Sequence, residues 1–503
     1  MYLPLDRTER LNADGGAFVN DKWTLKRATI TAGVRYEWYR SEAKPSSVLP
    51  NPWSPSATFD GVEKVPDWKD LQPRLGLSYD LFGNGKTALK VSVSRYSDPA
   101  TLWWVGGAAG FAGYPGAAPV LRLVNQEDRL WTDINGDSTV FNPDGTVQDS
   151  EFNPRYPEAT SEIGAAPSGS IFGQLRPQTT IIDPGPNEGW FKRQYNWEFS
   201  GTLQHQVMNG VAASLTYWKR TRAGNEPSVD NINIGPADFD GPFCVTAPSD
   251  PRLPSGGGFD VCGLYDLNPA ARLRPVQNKL THIKDHGEGV DIKDYYHGVE
   301  MTMNARLGGG TFLQGGLSMQ RIVFSACEYT PKIDSPEALR VNAVTGRPQC
   351  DTTQPFRPNA KFSGAYQLPW YGVQLSGTYQ YVSGPGIFST WTFGNELIAP
   401  ALGRSTSDPT GFKTVALMQT GQGFSGGLNQ VDFRVTKRIG LPQSKAIRLM
   451  ADLYNLLNSS WITGQNNTFG TTSPTNPNAA ATWLRPTGVI NGRMFKMGVQ
   501  IDF

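Results

Sequence analysis

The residues with the clearest chemical spacing lie in one polar segment. In Asp133-Ile-Asn-Gly-Asp-Ser-Thr-Val-Phe-Asn-Pro-Asp144, side-chain oxygen donors fall at Asp133, Asn135, Asp137 and Asp144. This spacing is similar to that of a calcium loop, because hard cations bind several oxygen ligands. Ser138 replaces the glycine expected at the sixth position, and Asp144 is shorter than the usual bidentate glutamate. Two interpretations stay open, a calcium site in the 133–144 loop and a solvated turn.

The 4 cysteines form two pairs that are close in sequence, Cys244 with Cys262 and Cys327 with Cys350. Neither pair has the Cys-x-x-Cys spacing of a zinc or redox site. Local pairing of an even number favours disulfides in an oxidising compartment, and unpaired thiols in a reducing cytosol are the alternative. Closing spans of about 18 and 23 residues would contribute roughly 3 kcal/mol each in the chain-entropy model. We expect both bridges to connect loops and to take no part in catalysis.

Enzymatic activity is not predicted. His282 and His286 would lie one helical turn apart in a helix, but their stretch has the character of a loop, which argues against a metal pair. The sequence shows no Ser-His-Asp arrangement, no phosphate-binding glycine loop and no carboxylate pair spaced for acid–base chemistry. With 46 basic and 45 acidic residues, the net charge of +1 gives no broad field for nucleic acid.

The elements that must position these residues are strands. Of the 503 residues 38% are apolar and 18% charged, and the chain has 55 glycines and 38 prolines. Ordinary globular chains are about 45–50% apolar and about 25% charged. The composition therefore favours many strands joined by long loops over a helical bundle. No stretch approaches the roughly 20 apolar residues of a spanning helix, whereas a spanning strand needs only about ten alternating residues.

The final strand shows the alternation most clearly. Its apolar side chains are Phe495, Met497, Val499, Ile501 and Phe503. Successive side chains of a strand point to opposite faces, so this strand has one apolar face and one polar face. The same period predicts thirteen strands, at 17–25, 28–41, 71–82, 86–97, 190–206, 210–222, 293–307, 311–326, 356–368, 371–382, 429–440, 445–457 and 492–503.

Short and long connections alternate along the chain. The short ones are tight turns, and the long ones are polar segments at about 41–71, 97–190, 222–293, 327–356, 383–429 and 457–491. This order places every long loop at one end of the sheet, as in an outer-membrane barrel with short periplasmic turns and long outer loops. Aromatic pairs at strand ends are typical of membrane interfaces. A soluble β-sandwich shows the same alternation but would place long loops at both ends.

Several segments resemble the carboxy-terminal barrel of TonB-dependent outer-membrane receptors, particularly the Oar-like branch, which carries a carboxypeptidase-regulatory-like domain in front. These segments are Phe18–Trp23, Thr31–Glu37, Gln72–Leu89, Asp452–Asn458 and Gly498–Phe503. The resemblance implies an all-β fold, an antiparallel transmembrane β-barrel of 22 strands plugged by a globular domain. It also implies that the terminal alternation ending in Phe503 is the signal recognised by the outer-membrane assembly machinery.

The resemblance further implies a location in the Gram-negative outer membrane, with lipid around the barrel and with TonB and a plug domain as partners. No plug, signal peptide or regulatory-like domain is visible in residues 1–503, and thirteen is an odd number, whereas bacterial single-chain barrels have even numbers of strands. We therefore expect residues 1–503 to be the last ~13 strands of the barrel, and this polypeptide alone not to transport anything.

Two functions follow as hypotheses. The first is the barrel portion of a transporter that moves a bulky ligand across the outer membrane in the complete protein. The second is a passive or adhesive outer-membrane β-protein whose surface loops bind ligands. In either case we expect specificity in the long extracellular loops, especially 97–190, because loops on a rigid scaffold carry recognition. A siderophore, a glycan and a peptide all stay open as ligands.

Overall fold

The computed structural model describes most of the chain. The described residues are 8–48, 57–99, 122–124, 126–130, 132–134, 136, 170–176, 180–181, 184–223, 227–287, 290–333, 335–342, 346–443, 445–472 and 479–503. The longest helix among them, Asn395–Leu402, has 8 residues, and no described helix is long and apolar enough to cross a membrane.

Thirteen strands form one antiparallel sheet in which the order across the sheet is the order along the chain. They are Glu9–Leu25, Ala28–Ala43, Asp67–Asp80, Thr87–Ser97, Tyr195–Met208, Val211–Ala223, Lys293–Gly308, Thr311–Ser325, Arg357–Gln367, Val373–Val382, Leu428–Gly440, Ala446–Tyr454 and Met494–Asp502. A short additional strand, Glu188–Trp190, pairs in parallel with the start of Asp67–Asp80. The predicted antiparallel all-β fold is confirmed.

The largest differences from the predicted strand boundaries are at the first and fifth strands. The first strand begins at Glu9 rather than at 17, because its early part is polar and is held by pairing with Ala28–Ala43 instead of by an apolar pattern. The fifth begins at Tyr195 rather than at 190, because Glu188–Trp190 turns away to pair with another strand. Both errors come from pairing with other strands, which a local period does not record.

Glycine allows the tightest turns between neighbouring strands. Gly210 has a φ of +79°, a conformation that other residues rarely adopt, and a Cβ there would lie 2.3 Å from the carbonyl oxygen of Arg306. The next strand pair turns through Gly308, Gly309 and Gly310, all at positive φ. These short connections lie at one end of the sheet, and the long segments lie at the other.

The sheet has an apolar face and a polar face. Cross-strand partners carry one apolar row across five strands, Leu89, Leu203, Leu215, Met301 and Leu317. Their side chains are 37 to 51% exposed. A continuous apolar surface of this kind is not stable in water, and it matches the hydrocarbon core of a membrane.

The long segments contain elements of their own. The strands are Ser46–Val48, Ala57–Phe59, Thr180–Ile181, Pro227–Asn231, Phe239–Thr246, Asp260–Leu267, Asn278–His282, Gly386–Gly394, Phe412–Phe424, Ile462–Gln465, Thr468–Thr472 and Pro486–Val489. The α-helices are Pro184–Asn187, Pro269–Arg272, Thr330–Ile333 and Asn395–Leu402, and 3-10 helices cover Pro236–Asp238, Pro254–Gly256, Ile283–His286, Pro336–Leu339 and Ala479–Thr482. Much of the described part of these long segments therefore has regular secondary structure.

The sheet is open at both edges within the described part of the chain. The first strand, Glu9–Leu25, pairs there only with Ala28–Ala43, and the last strand, Met494–Asp502, pairs only with Ala446–Tyr454. Each edge therefore presents a row of backbone N–H and C=O groups that the described strands leave unpaired. Such edges are costly in hydrocarbon, where water does not satisfy them.

Candidate functional site: the polar face and the loop cap

The polar face of the sheet is a hydrogen-bonded surface of small hydroxyl side chains. Cross-strand hydroxyl pairs lie 2.6 to 3.0 Å apart, at Ser92–Ser200, Thr202–Thr216 and Ser214–Thr302. Because alternation places these side chains opposite the lipid-facing row, they line the interior. A hydroxyl accepts and donates with little bulk, so this part of the wall is hydrophilic and leaves space beside it.

Charged groups on the same face are paired with each other. Arg220 donates to Glu198 over 2.7 Å, and Arg222 donates to Asp294 over 3.2 Å. Nearer the carboxyl terminus the guanidinium of Arg434 contacts the carboxylate of Asp452. These interior charges are therefore paired within the wall.

A buried ion pair lies where the early strands leave the sheet. Arg95 contacts the carboxylate of Asp70 at 3.3 Å, and the two side chains are 5% and 1% exposed. Arg95 also donates to the carbonyl oxygen of Leu71 over 2.7 Å, and its guanidinium carbon lies 4.0 Å from the ring centroid of Tyr195. Replacing either Arg95 or Asp70 by an uncharged residue would leave the other charge buried without its partner. We therefore infer that this ion pair stabilises the fold.

Three of the long segments fold together into a unit that we call the loop cap, formed by the described parts of 239–267, 386–424 and 462–489. They share one apolar core. Its buried members are Phe243, Val245, Ala247, Leu253, Val261, Leu264, Trp391, Phe393, Ile398, Val415, Leu417, Met418, Phe469 and Trp483. Because these residues come from segments far apart in sequence, the segments hold one another in place.

Arg404 connects two of these segments electrostatically. Its guanidinium donates to Asp266 over 2.6 Å and to Asp240 over 3.1 Å. Thr406 and the backbone of Ser407 donate to the same carboxylate of Asp266, at 2.6 and 2.8 Å. The hydrogen bonds from Arg404 and from Asn268 lower the pKa of Asp240 below its ordinary value. The carboxylate therefore stays ionised at neutral pH, and the connection persists.

Two further basic side chains form hydrogen bonds between these segments. Lys413 donates to Glu337 over 2.8 Å, which joins the cap to the 327–356 segment. Arg252 donates to the carbonyl oxygens of Trp483 and Ala480, both over 2.8 Å. The loop cap is thus a fixed surface rather than a set of independent loops, and a fixed surface binds a ligand with less loss of conformational entropy.

The structure bonds both predicted cysteine pairs. Cys244 is joined to Cys262 and Cys327 to Cys350. The first bridge connects the paired cap strands Phe239–Thr246 and Asp260–Leu267. The second closes the 327–356 segment. Each bridge therefore restrains a long segment that contributes to the cap or contacts it.

The calcium prediction falls largely outside the described residues. Asn135, Asp137 and Asp144 are not among them, and Asp133 accepts a hydrogen bond from the backbone of Gly136 over 2.7 Å, as in a local turn. Among the residues that are described, no group of three or more His, Cys, Asp or Glu is arranged to hold a metal. The calcium site stays a prediction.

The histidine pair occupies more regular structure than the expected loop. His282 ends the strand Asn278–His282, and His286 ends the 3-10 turn Ile283–His286. The ring of His286 packs edge-on against Tyr329, with centroids 5.3 Å apart. The side chain of His282 lies outside what the structure describes, so the metal pair is not tested.

The terminal strand presents its apolar side chains on the lipid-facing side. Phe495, Met497, Val499, Ile501 and Phe503 are 52 to 96% exposed. Val499 and Met497 pair with Leu449 and Ala451 of the neighbouring strand. The residues of the predicted assembly signal are thus accessible along one edge of the sheet.

Sequence reasoning missed the loop cap and the residues that join it. Arg404 and its carboxylate partners are 138 and 164 residues apart, so no local spacing marks them. The apolar content of 412–424 was a usable signal, because Val415, Leu417 and Met418 are more apolar than a solvated loop requires.

An antiparallel sheet with a lipid-facing apolar surface, a hydrophilic interior and long segments at one end defines the wall of a membrane β-barrel. The family comparison agrees with this class. A profile described as an outer membrane beta barrel domain matches residues 5–398, and the chain belongs to that family. The family places the chain in the outer membrane. No curated protein sequence matches it.

Solved outer-membrane proteins are similar at low sequence identity. FpvA of P. aeruginosa, solved with heterologous pyoverdines, is 10% identical, with 99% of this chain and 39% of that chain covered and a TM-score of 0.42. The transporter YddB from Escherichia coli is 11% identical, with 97% and 54% covered and a TM-score of 0.41. The FrpB iron transporter from Neisseria meningitidis is 12% identical, with 99% and 46% covered and a TM-score of 0.41. The chain thus spans between 39% and 54% of these proteins' lengths.

Proposed function

We propose that this chain is the barrel portion of a TonB-dependent outer-membrane transporter, of the Oar-like branch, that moves a bulky ligand in the complete protein. The observation that carries the proposal is the thirteen-strand sheet with one lipid-facing surface, one hydrophilic surface and two open edges. The motifs that resemble the receptor family support the same assignment, since they occur from the first strand to the last.

The open edges favour a larger barrel. In hydrocarbon every backbone N–H and C=O group of a sheet needs a hydrogen-bond partner, and only a closed barrel provides one for all of them. In this proposal further strands of the complete protein pair with Glu9–Leu25 and Met494–Asp502 and close the wall. A barrel of about 22 strands encloses a lumen wide enough for a plug domain. The hydroxyl pairs and balanced ion pairs of the polar face suit a wall that a plug contacts.

The test compares this chain with the full product of its gene, both purified from outer membranes. The full product is expected to bind the isolated periplasmic domain of TonB, and this chain is expected not to bind it. Binding is measured by surface-immobilised titration. A full product that has no residues beyond those of this chain, or that does not bind TonB, would exclude the transporter assignment and favour the passive or adhesive alternative.

In the proposed orientation the long segments, including the loop cap, face the cell exterior. A membrane-impermeant maleimide on intact cells tests this. Leu273, which is 87% exposed in a long segment, is replaced in L273C, and Asn209 in a tight turn is replaced in N209C. L273C is expected to be labelled in intact cells and N209C only after lysis. The opposite pattern would reverse the orientation.

The passive or adhesive alternative gains support from the loop cap itself. A core of fourteen buried residues and several inter-segment ion pairs stabilise a fixed surface, which an adhesin also needs. The two functions differ in their requirement for energy. If ligand accumulation stops when the membrane potential is dissipated, the result supports the transporter. If the ligand binds to the cell surface and this treatment does not affect the binding, the result supports adhesion.

A further inference from the structure

Three basic side chains form a row on the lipid-facing side of the sheet. Lys219, His297 and Arg321 lie on adjacent strands and are direct cross-strand partners, Lys219 with His297 and His297 with Arg321. Adjacent strands are about 4.8 Å apart, so the row spans about 10 Å. Basic side chains are unfavourable on a surface that contacts hydrocarbon, and a cluster of them there indicates an anionic partner.

The row is not neutralised by the protein. Among the described residues, neither Lys219 nor Arg321 forms an ion pair with a carboxylate, and Nε of Arg321 is buried without a hydrogen-bond partner. The contrast with the polar face is direct, because the next residue along the strand, Arg220, pairs with Glu198 over 2.7 Å. Lys219 and Arg321 therefore lack the carboxylate partners that Arg220 and Arg222 have on the opposite face.

The position of the row corresponds to a lipid headgroup zone. Moving along the strands from the tight turns, the apolar row Tyr217, Val299 and Met319 is followed by the basic row. One more row on this face, Thr221, Tyr295 and Val323, lies beyond it. Long segments begin a few residues further on. The basic row thus lies at the boundary between the apolar band and the loop end of the sheet, where charged lipid groups are found.

Aromatic rings frame the row. The Tyr217 hydroxyl lies 2.7 Å from Nδ1 of His297, and the amine of Lys219 lies 5.8 Å from the ring centroid of Tyr295. At the other end, the guanidinium carbon of Arg321 lies 5.9 Å from the ring centroid of Phe356, which is 45% exposed. Such rings hold long cationic side chains against the wall and keep them at the interface.

We propose that Lys219, His297 and Arg321 bind the phosphate headgroup of an anionic outer-leaflet glycolipid. The phosphate lies over the centre of the row, with Lys219 and Arg321 on either side. The acyl chains of the same molecule lie along the apolar face below, against residues such as Val299 and Met319. The lipid, rather than free phosphate, is the occupant because the row continues directly into an apolar surface.

The site uses the orientation given in the proposed function, with the loop end outward, but it does not depend on transport. It is tested on the full product of the gene, purified in dodecylmaltoside micelles, with diphosphoryl lipid A as the probe and native mass spectrometry as the measurement. Binding in micelles does not depend on TonB, a plug or cell orientation. Failure of this site and failure of the transporter assignment are therefore distinguished.

The double variant K219Q/R321Q removes two charges from the lipid-facing side. Each basic side chain near an anionic group contributes about a fivefold factor, so lipid A is expected to bind about 25-fold more weakly. The matched control is R220Q/R222Q, which removes two charges from the same region of the opposite face and is expected to leave binding unchanged. K219R/R321K keeps the charges and is expected to retain binding.

Several outcomes would overturn the proposal. They are unchanged binding by K219Q/R321Q, an equal loss in R220Q/R222Q, and displacement of the lipid by millimolar inorganic phosphate, which would identify a free-anion site. Folding of each variant is checked by heat-modifiable gel migration. If the double variant does not fold, the single variants K219Q and R321Q decide, because each is expected to weaken binding by about fivefold.

Discussion

The loop cap is predicted to be a cooperative unit whose stability depends on its shared core. Leu264 is 0% exposed and lies in the cap strand Asp260–Leu267, where it pairs with Phe243. The core around it also includes Trp391 and Phe469, which come from other segments. Replacing Leu264 in L264A should therefore loosen all three segments and not only its own.

The magnitude follows from complete burial. Replacing a buried leucine by alanine costs about 3 to 5 kcal/mol, the sum of lost transfer energy and of the cavity left behind. A loss of that size in the free energy of cap opening would accelerate amide hydrogen exchange by roughly 100- to 4000-fold. The acceleration is expected in Asp260–Leu267, Gly386–Gly394 and Thr468–Thr472 together.

Hydrogen exchange followed by mass spectrometry on the full gene product in micelles measures this. The strands of the main sheet are an internal reference and are expected to keep their exchange rates. The control is L273A, a change of the same type at a residue that is 87% exposed, with an expected effect below about 0.5 kcal/mol. Acceleration confined to Asp260–Leu267, or an equal effect in L273A, would refute a shared core.

Three further predictions concern the cap and the terminal strand. Because the pKa of Asp240 is lowered by Arg404 and Asn268, its stabilising effect is present above the unfolded carboxyl value of about 3.9 and is lost as pH falls through the folded pKa. The free energy of cap opening, obtained from exchange rates corrected for the intrinsic pH dependence of amide exchange, should therefore be constant from neutral pH to about pH 5 and lower below about pH 4, with a smaller change in R404Q. A C244S/C262S variant should lower the free energy of cap opening by about 3 kcal/mol, and a non-reducing peptide map of the unmodified chain should contain both bridged peptides. Phe503 is 96% exposed and contributes little packing. Its deletion should therefore reduce the amount of assembled chain in outer membranes without changing the stability of the chain after refolding in detergent. A loss of stability as large as the loss of assembly would contradict a role of Phe503 in recognition.

The sequence predicted the sheet well because alternation is a local property. In a strand such as Val211–Ala223 the side chain of each residue faces the side opposite to its neighbour's, whatever the rest of the chain does. Thirteen segments with this period and turns such as Asn209-Gly210 therefore indicated the order and the faces of the strands. Boundaries were less accurate, as at Glu9, where pairing with the next strand extends the element beyond its apolar pattern.

The loop cap was not predicted, because burial on more than one side removes the alternation. The strand Phe412–Phe424 contains three consecutive buried residues, Leu417, Met418 and Gln419, and no period of two distinguishes them from a loop. Their partners lie in other long segments. A core assembled from several segments leaves at most an apolar composition in each of them, and that composition does not identify the partner segments.

What the sequence by itself determined is the alternating face pattern, the local cysteine pairs and the alternation of tight turns with long segments, since each depends on residues that are near one another in the chain. Only the tertiary structure decided which distant groups meet. Arg404 reaches Asp240 across 164 residues, and Lys219, His297 and Arg321 become neighbours only once the register of three strands is fixed. The physical reason is that hydrogen bonds and ion pairs act over a few ångströms in space, whatever the separation along the chain.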